Sequence, residues 1–433
     1  MEDFDVAIVG ARCAGASLAT LLARRGLHVC VVDKAQFPSE TPSTHVVQPC
    51  GVRILGELGV LDALLETAVP LNRFTMINDD VRIDGPIDVE EFGAPGLCVR
   101  RLTLDAALVD ACSAAGADVR TGHAVTGVLR DATGRVRGVR SRDGDINARL
   151  VVGADGRKSV VAKSVGSAEY LTTPPGRIPA WAYFEGVDDR EGRLRIGRVG
   201  DLTFLASPTD GGLYMAGIAV DVDRVSDFHS ARDTYFSDAL ARCPDLPELL
   251  DGARRVGPIR VMTDWHGYFR QSAGPGWVLV GDAGHFKDFT AAQGISDALR
   301  QARSLAATIG DAFSSGGDTD APLQNWWRWR DRDAYEMYWL ATDMGLPGTS
   351  TPLITRLLRG IADDTESTRL FGHVLNHDLA PAKLFTPRRL LAASARAFAD
   401  RPGQIWATSR EIGSAIGNDI RRTRARRTIG QLR

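Results

Sequence analysis

The sequence has no excess charge of either sign, no long apolar run and few cysteines. Its 433 residues carry 52 Lys and Arg against 54 Asp and Glu, which argues against a dedicated nucleic-acid binder. No stretch approaches the roughly 18 consecutive apolar residues of a membrane-spanning helix, and the acidic start does not resemble a signal peptide. The six Cys lack CxxC spacing, so they predict neither a disulfide scaffold nor a zinc site. We therefore expect a cytoplasmic protein without a resident metal.

Signatures of several enzyme classes are also missing. The chain has no GxSxG nucleophile elbow, no HExxH motif and no His/carboxylate spacing typical of a metal site. It has no second GxGxxG unit either, which argues against a separate nicotinamide-binding Rossmann domain. These absences are consistent with a chemistry that needs neither a nucleophilic side chain nor a metal.

The N-terminal residues have the pattern of a βαβ dinucleotide-binding unit. The apolar run DVAIV predicts a central parallel strand, the residues after Gly10 predict a helix, and HVCVV predicts a second strand that ends at Asp33. Gly10 permits the tight turn, Gly15 lets the helix approach the sheet, and Asp33 is placed to accept a ribose hydroxyl. Arg12 occupies the position of the middle Gly of GxGxxG, so a βαβ unit without a nucleotide remains an alternative.

Two later strands are each followed by an acid. LVVGADGR places Asp155, and WVLVGDAG places Asp282, at the carboxyl ends of predicted parallel strands, where a doubly wound sheet binds its ligands. Asp282 is placed to accept a hydrogen bond from a ribityl hydroxyl. The segment TAAQGISDALRQARSLAATI predicts a long helix whose N-terminal N–H groups face the pyrimidine edge of a flavin.

These motifs, with RLTLDAAL between them, occur in the order found in one enzyme family. Together they resemble the FAD-dependent monooxygenases related to para-hydroxybenzoate hydroxylase, the group A flavoprotein monooxygenases, and especially their actinobacterial branch. The resemblance spans residues 5 to about 305. It implies an α/β fold with a glutathione-reductase-type, Rossmann-like FAD-binding domain, an inserted antiparallel β-sheet substrate domain and a helical C-terminal region. It also implies non-covalent FAD, with NAD(P)H as a transient electron donor.

The resemblance assigns cofactor-binding roles to residues in each motif. These are Gly10, Arg12, Cys13, Ala14, Gly15, Asp33, Lys34, Thr44, Arg101, Asp155, Gly156, Gly281, Asp282, Gln293, Gly294 and Ile295. Two of them have structural alternatives that stay open. Arg101 is also consistent with an exposed cation at the start of a helix, and Asp155 with a cap on the following helix.

Two further residues are assigned to the environment of the flavin and the substrate. His45, in the Pro- and Ser-rich loop after the second strand, is a candidate proton donor, with an ordinary surface-loop histidine as the alternative. Phe289 stands where the family has a Pro near the oxygen-reactive face of the flavin. Its effect is open among a neutral change, a reshaped pocket and a loss of oxygenation.

The segment 171–270 changes character, with β-forming runs broken by Asp-Gly and Gly-Gly turns. It predicts an antiparallel sheet to which residues 72–99 add edge strands. Four aromatic residues of this sheet are candidates for an apolar substrate pocket, with core packing as the alternative: Trp181, Tyr183, Phe204 and Tyr214. The predicted FAD-binding segments are 1–71, 100–170 and 271–345, the substrate-domain segments are 72–99 and 171–270, and 346–433 is the helical region.

The resemblance implies a hydroxylase or epoxidase of secondary metabolism, as in antibiotic biosynthesis. It would transfer oxygen to an aromatic or polyketide-like small molecule through a flavin C4a-hydroperoxide, as a monomer or homodimer without nucleic-acid partners. Halogenation is disfavoured, because the WxWxIP segment of tryptophan halogenases is absent. Two alternatives remain open. One is a dehydrogenase or reductase of the geranylgeranyl-reductase type, and the other is an FAD-holding cyclase without net redox chemistry.

Overall fold

The computed structural model describes residues 3–189, 191–400 and 405–429. The chain divides into two units, Met1–Thr67 with Val99–Pro174 and Trp265–Ala334, and Ala68–Cys98 with Pro175–Asp264 and Tyr335–Arg433. Residues 401–404 and 430–433 of the predicted helical region lie outside the described residues. Among the helices that are described, none has the length and apolar character needed to cross a membrane.

Twenty strands are found in the described part of the chain. They are β1 (Asp3–Val9), β2 (Val29–Asp33), β3 (Val46–Val47), β4 (Arg73–Asn78), β5 (Val81–Pro86), β6 (Leu97–Cys98), β7 (Asp118–Thr121), β8 (Val125–Arg130), β9 (Val136–Ser141), β10 (Gly144–Gly153), β11 (Glu169–Thr173), β12 (Arg177–Glu185), β13 (Arg193–Val199), β14 (Leu202–Pro208), β15 (Tyr214–Asp221), β16 (Arg254–Val261), β17 (Gly267–Arg270), β18 (Ala273–Gly274), β19 (Trp277–Leu279) and β20 (His285–Phe286).

The same residues contain sixteen α-helices. They are α1 (Cys13–Ala23), α2 (Pro49–Leu58), α3 (Leu61–Leu65), α4 (Val89–Phe92), α5 (Arg101–Ala114), α6 (Val160–Val165), α7 (Val225–Ser230), α8 (Arg232–Arg242), α9 (Leu246–Leu249), α10 (Gly294–Ser314), α11 (Asp320–Met344), α12 (Pro352–Ala362), α13 (Thr365–Leu375), α14 (Pro381–Leu384), α15 (Pro387–Asp400) and α16 (Ile405–Ile429).

The first unit is built on a sheet with the strand order β18-β19-β10-β1-β2-β7, extended by β9 and β8. The central strands β19, β10, β1, β2 and β7 run parallel. Helix α1 connects β1 to β2 as the sequence predicts, and buried apolar side chains cover this part of the sheet because its strands are apolar on both faces. This arrangement confirms the predicted Rossmann-like α/β fold.

The second unit contains a seven-stranded sheet with the order β16-β12-β15-β14-β13-β4-β5. Its strands pair antiparallel except for β13 with β4. Helices α7, α8 and α9 supply Phe228, Phe236 and Leu246 to a hydrophobic core on one face of the sheet. Strands β4 and β5 form an edge, as predicted from the β-forming segments. The inserted antiparallel sheet is therefore confirmed.

Candidate functional site

The carboxyl ends of four neighbouring parallel strands bring the predicted cofactor residues to one edge of the sheet. Gly10 follows β1, Asp33 ends β2, Asp155 lies two residues beyond β10, and Asp282 lies three residues beyond β19. Because these strands are adjacent and parallel, residues from distant parts of the sequence share this edge. This is where an open α/β sheet binds its ligand.

Gly10 and Gly15 close the turn between β1 and α1 without room for a side chain. Gly10 has φ +102°, and a Cβ atom there would lie 2.4 Å from the carbonyl oxygen of Ala154. A Cβ on Gly15 would lie 1.7 Å from the carbonyl oxygen of Gly10. Both contacts are with backbone, which cannot rotate away. The tight turn that the sequence predicts is therefore a steric requirement of this loop.

The N-terminus of α1 is uncapped and flanked by cations. Arg12 is the N-cap residue, in an extended conformation, and its side chain makes no capping hydrogen bond. Its guanidinium instead binds the carboxylate of Asp105 at 2.7 Å and the hydroxyl of Ser39 at 2.9 Å. The first-turn N–H groups thus lack a side-chain cap from Arg12, and a fixed positive charge lies beside them. An anion such as a pyrophosphate matches this environment.

Asp105 connects three of the predicted cofactor residues. This fully buried carboxylate accepts hydrogen bonds from Arg12, from Arg101 at 2.8 Å and from the thiol of Cys13 at 3.4 Å. Burial raises the pKa of Cys13, so this thiol stays protonated. Arg101 begins α5, and its side chain is only 13% exposed, so it is not the exposed cation of the alternative interpretation. Asp105 is not among the residues predicted from the sequence, although Arg101 and Asp105 have the i, i+4 spacing of a helical ion pair.

Asp33 and Asp155 are both held by backbone N–H groups. The carboxylate of Asp33 accepts hydrogen bonds from the N–H groups of Ala11 and Ala35, each at 2.8 Å. Asp155 accepts from the Ser159 hydroxyl at 2.5 Å and from the Val160 N–H at 2.6 Å. Asp155 therefore caps α6, the role given above as its alternative, and it fixes the strand-to-helix turn that contains Gly156, whose φ is +75°.

Asp282 differs from the other two acids. Within the described residues, its carboxylate makes no hydrogen bond, although the residue is half-buried. Burial, with a smaller contribution from the charge of Asp297, raises its pKa to about 6, while Arg157 and Arg101 act in the opposite direction. A buried acceptor without a donor is costly unless a ligand supplies one. The ribityl hydroxyls of a flavin are donors of this kind.

Three side chains fix the loop that carries Asp282. Tyr268 donates its hydroxyl hydrogen to the Asp282 carbonyl at 2.5 Å, and Arg270 donates to the Ala283 carbonyl at 3.0 Å. Arg330 lies under Gly284, where a Cβ atom would meet its guanidinium at 2.7 Å. In the same loop, a Cβ on Gly281 would meet that of Ala14 at 3.0 Å. The position of Asp282 is thus set by a rigid backbone.

The long helix predicted from Thr290 is present as α10, but it begins four residues later, at Gly294. Gln293 is its N-cap residue, and its side chain makes no capping hydrogen bond. Gly294 is exposed and Ile295 is buried. The first-turn N–H groups are thus available to carbonyl oxygens of a ligand, which is consistent with the predicted role of this segment.

The remaining single residues lie in different environments. His45 is 2% exposed with φ +62°, so its interpretation as a surface-loop residue is wrong. Thr44 is half-buried and Lys34 is exposed. Phe289 begins a 3₁₀ turn and packs edge-to-face on Trp265, with ring centroids 5.4 Å apart. Trp265, which the sequence analysis did not select, therefore holds Phe289 in the position where the family has Pro.

The four aromatic candidates of the second unit divide between the two faces of the sheet. Phe204 and Tyr214 belong to the core under α7, α8 and α9. Trp181 and Tyr183 alternate along β12 with Ala180 and Ala182 of that core, so they lie on the opposite face. All four are buried. The opposite face is the one we retain as a candidate substrate surface.

The residues present fit FAD. The edge offers two helix N-termini without a side-chain cap from their N-cap residues, a cradle closed by Gly10 and Gly15, and one half-buried carboxylate without a donor. An adenine dinucleotide with a ribityl chain supplies the matching pyrophosphate, carbonyl and hydroxyl groups. Metal binding has no such support, since the described residues contain no group of three or more His, Cys, Asp or Glu arranged to hold an ion.

We expect the affinity for FAD to fall as Asp282 becomes protonated. A ribityl hydroxyl would donate to the ionised carboxylate, so FAD binding would lower the pKa of Asp282 from its value of about 6. The Kd should be constant near pH 8 and should rise by up to about tenfold per pH unit below pH 6. Flavin fluorescence titration of the apoprotein measures this Kd.

Asp282→Asn should weaken FAD binding and remove this pH dependence, whereas Asp311→Asn, at an exposed position of α10, should retain it. A wild-type Kd that does not change between pH 5 and pH 8 would contradict the assignment.

Comparison with known proteins gives three kinds of match. Residues 3–177 match the family model described as FAD binding domain. A menaquinone reductase of Mycolicibacterium smegmatis is 26% identical over 335 residues, covering 73% of this chain and 78% of that protein. A 3-(3-hydroxy-phenyl)propionate/3-hydroxycinnamic acid hydroxylase of Mycobacterium avium is 27% identical over 369 residues, covering 79% and 61%. The structure of the myxobacterial chondrochloren halogenase CndH has a TM-score of 0.73 at 21% identity, covering 92% of this chain and 97% of that one. These matches confirm the family resemblance and the FAD prediction.

Proposed function

We propose, for a chain whose residues 3–177 belong to the FAD binding domain family, that it is an NAD(P)H-dependent monooxygenase. Its substrate would be an aromatic or polyketide-like small molecule of secondary metabolism. The proposal places the enzyme in the cytoplasm as a monomer or homodimer. The relatives of the chain are hydroxylases, halogenases and reductases, and on this basis the chain is an FAD-dependent enzyme of that group.

The observation that carries the proposal is the single dinucleotide site. The sequence has one βαβ fingerprint, at Gly10 to Gly15, and no second one for a nicotinamide cofactor. A nicotinamide donor would therefore have to bind transiently, without a fingerprint of its own. When bound, FAD supplies hydride acceptance from the nicotinamide and a reduced form that reacts with dioxygen. A relative that is named a hydroxylase and matches 79% of this chain supports oxygen transfer as the outcome.

The protein residues have binding and positioning roles in this proposal. Gly10, Gly15 and the N-terminus of α1 would hold the pyrophosphate, while Asp33 and Asp282 would accept hydrogen bonds from hydroxyl groups of the ribose and the ribityl chain. The N-terminus of α10 would donate to the pyrimidine carbonyl groups and would favour the negative charge that a flavin gains on reduction. These roles require no nucleophilic side chain.

The substrate is proposed to lie against the Trp181 and Tyr183 face of the seven-stranded sheet. Met215 and Leu194 extend this face, because they lie at positions that alternate with core residues or pair with residues of the same face. A Cβ on Gly217 would meet the Cβ of Trp181 at 3.0 Å, so a side chain at position 217 would crowd Trp181. Flat aromatic and apolar side chains favour a flat, apolar substrate.

A quinone or carbon–carbon double-bond reductase is the second candidate. Phe289 is the observation that favours it, because this residue replaces a Pro beside the flavin and is fixed there by Trp265. The similarity to a menaquinone reductase, over 78% of that protein, supports the same candidate.

The two candidates differ in what they do without dioxygen. We would incubate the holoprotein with NADPH or NADH and either a naphthoquinone or a phenol, first without dioxygen and then in air. A monooxygenase oxidises one nicotinamide for each phenol that it hydroxylates, and it does so only in air. A reductase converts the quinone in the anaerobic sample. Oxidation of nicotinamide with quinone reduction and no hydroxylated product would replace the first candidate by the second.

A further inference from the structure

Lys287 is a buried lysine in the loop between Asp282 and α10, outside the set of cofactor residues that the motifs mark. Its side chain is 4% exposed. The ammonium nitrogen lies 2.6 Å from Oδ2 of Asp297 and donates a hydrogen bond to Oε1 of Gln293 at 2.7 Å. A buried ammonium group is stable only when it is paired in this way. Lys287 thus connects the loop to the first turn of α10 at two points.

The hydrogen bond from Lys287 to Gln293 bears on whether the first-turn N–H groups of α10 are available to a ligand. Gln293 precedes Gly294 and has the backbone angles φ −113° and ψ −8°. Its amide oxygen is an acceptor, and the Lys287 ammonium group donates to it. The side chain makes no capping hydrogen bond to the helix. The N–H groups therefore stay available to a ligand.

The ion pair with Asp297 determines the charge at the same place. Asp297 lies in the first turn of α10 and is 8% exposed, and its charge contributes to the raised pKa of Asp282. A second cation, Arg300, is 3.9 Å from Oδ1 of Asp297 but binds Asp333 at 3.0 Å. Lys287 is thus the closer counter-charge. Without it, a net negative charge would remain where a reduced flavin also becomes negative.

We propose that Lys287 is a positioning residue for the flavin, which keeps the N-terminus of α10 uncapped and neutralises Asp297. This inference depends on the proposed placement of the flavin pyrimidine at that N-terminus. It does not depend on oxygen transfer. A reductase or a monooxygenase with the same FAD placement would need the same device, because both must stabilise a reduced flavin.

The test compares single and double variants of Lys287 and Asp297, and it measures the flavin midpoint potential and the Kd for FAD. Lys287→Met removes the closest positive charge beside the Asp297 carboxylate. It should therefore shift the flavin potential to a more negative value and weaken FAD binding by about tenfold or more. Asp297→Asn should shift the potential in the positive direction. The double variant should return it close to the wild-type value. Lys287→Arg, which keeps the charge, should remain near wild type, and Lys163→Met, an exposed lysine of α6, is the matched control.

A purely structural role of Lys287 would not shift the midpoint potential in opposite directions in the two single variants. Potentials that move in the same direction in both, or that do not move in Lys287→Met, would overturn the inference. If Lys287→Met does not fold, Asp297→Asn and the double variant decide it. A positive shift of the potential in Asp297→Asn that is lost in the double variant supports the inference. An unchanged potential in both variants overturns it. Turnover is not measured, so a failure of the monooxygenase proposal is recorded separately.

Discussion

Replacing Gly15 by Ala should abolish FAD binding and destabilise the protein by about 3 kcal/mol or more. The added Cβ would lie 1.7 Å from the carbonyl oxygen of Gly10, and the neighbouring turn is itself closed against Ala154. Relief requires α1 to move away from the sheet, which opens the pyrophosphate cradle. Chemical denaturation of the apoprotein and FAD titration measure the two effects.

The control for Gly15→Ala is a helical glycine with open space around it. A Cβ on Gly360 of α12 would have no heavy atom within 4 Å outside its own helix backbone and chain neighbours. Its replacement by Ala should stabilise the protein by about 0.5 kcal/mol, because Ala has the higher helix propensity. The same substitution should therefore have opposite signs at the two positions. A Gly15→Ala protein that binds FAD with the wild-type Kd would refute the cradle formed by Gly10 and Gly15.

Asp105→Asn should have the second largest effect, a loss of about 2–4 kcal/mol of apoprotein stability. The substitution preserves the shape of a fully buried side chain but removes the charge that pairs with Arg12 and Arg101. Both guanidinium groups then lack their buried counter-ion. Since FAD brings two negative charges to the adjacent helix N-terminus, it should recover part of the lost stability, so the FAD-induced rise in Tm should exceed that of wild type.

Asp110→Asn on the same helix is the matched control for Asp105→Asn. Asp110 is exposed, and an exposed carboxylate contributes little to stability. We expect its Tm and its FAD-induced rise in Tm to equal those of the wild type. Equal stability of Asp105→Asn and Asp110→Asn would show that the buried network does not organise the site.

The sequence predicts those parts of the fold that local pattern determines. Apolar runs ending in Asp33 and Asp282 mark central parallel strands, and the small residues after Gly10 mark a helix that lies close to the sheet. Adjacent parallel strands then necessarily bring their carboxyl ends to one edge. For this reason the cofactor edge, including residues more than two hundred positions apart, is predictable without a structure.

Contacts that depend on side-chain direction were not predictable in the same way. The distinction between Trp181 and Phe204 needs the pairing register of β12, β15 and β14, which decides the face on which each ring lies. For Asp155 the sequence favours a cofactor contact over a helix cap, whereas the structure shows its carboxylate accepting from the first turn of α6. Lys287 reaches Asp297 only because the intervening loop folds back onto α10. No periodicity in the sequence marks such an approach.

Incorporation of labelled dioxygen is the measurement that tests the central claim most directly. The purified holoprotein would be mixed with NADPH or NADH, isotope-labelled dioxygen and a panel of phenols and aromatic polyketides, and the products analysed by mass spectrometry. Our account predicts one labelled oxygen atom in the product for each nicotinamide oxidised, with the second atom released as water. Nicotinamide oxidation that yields only hydrogen peroxide or a reduced, unlabelled product across the panel would contradict it.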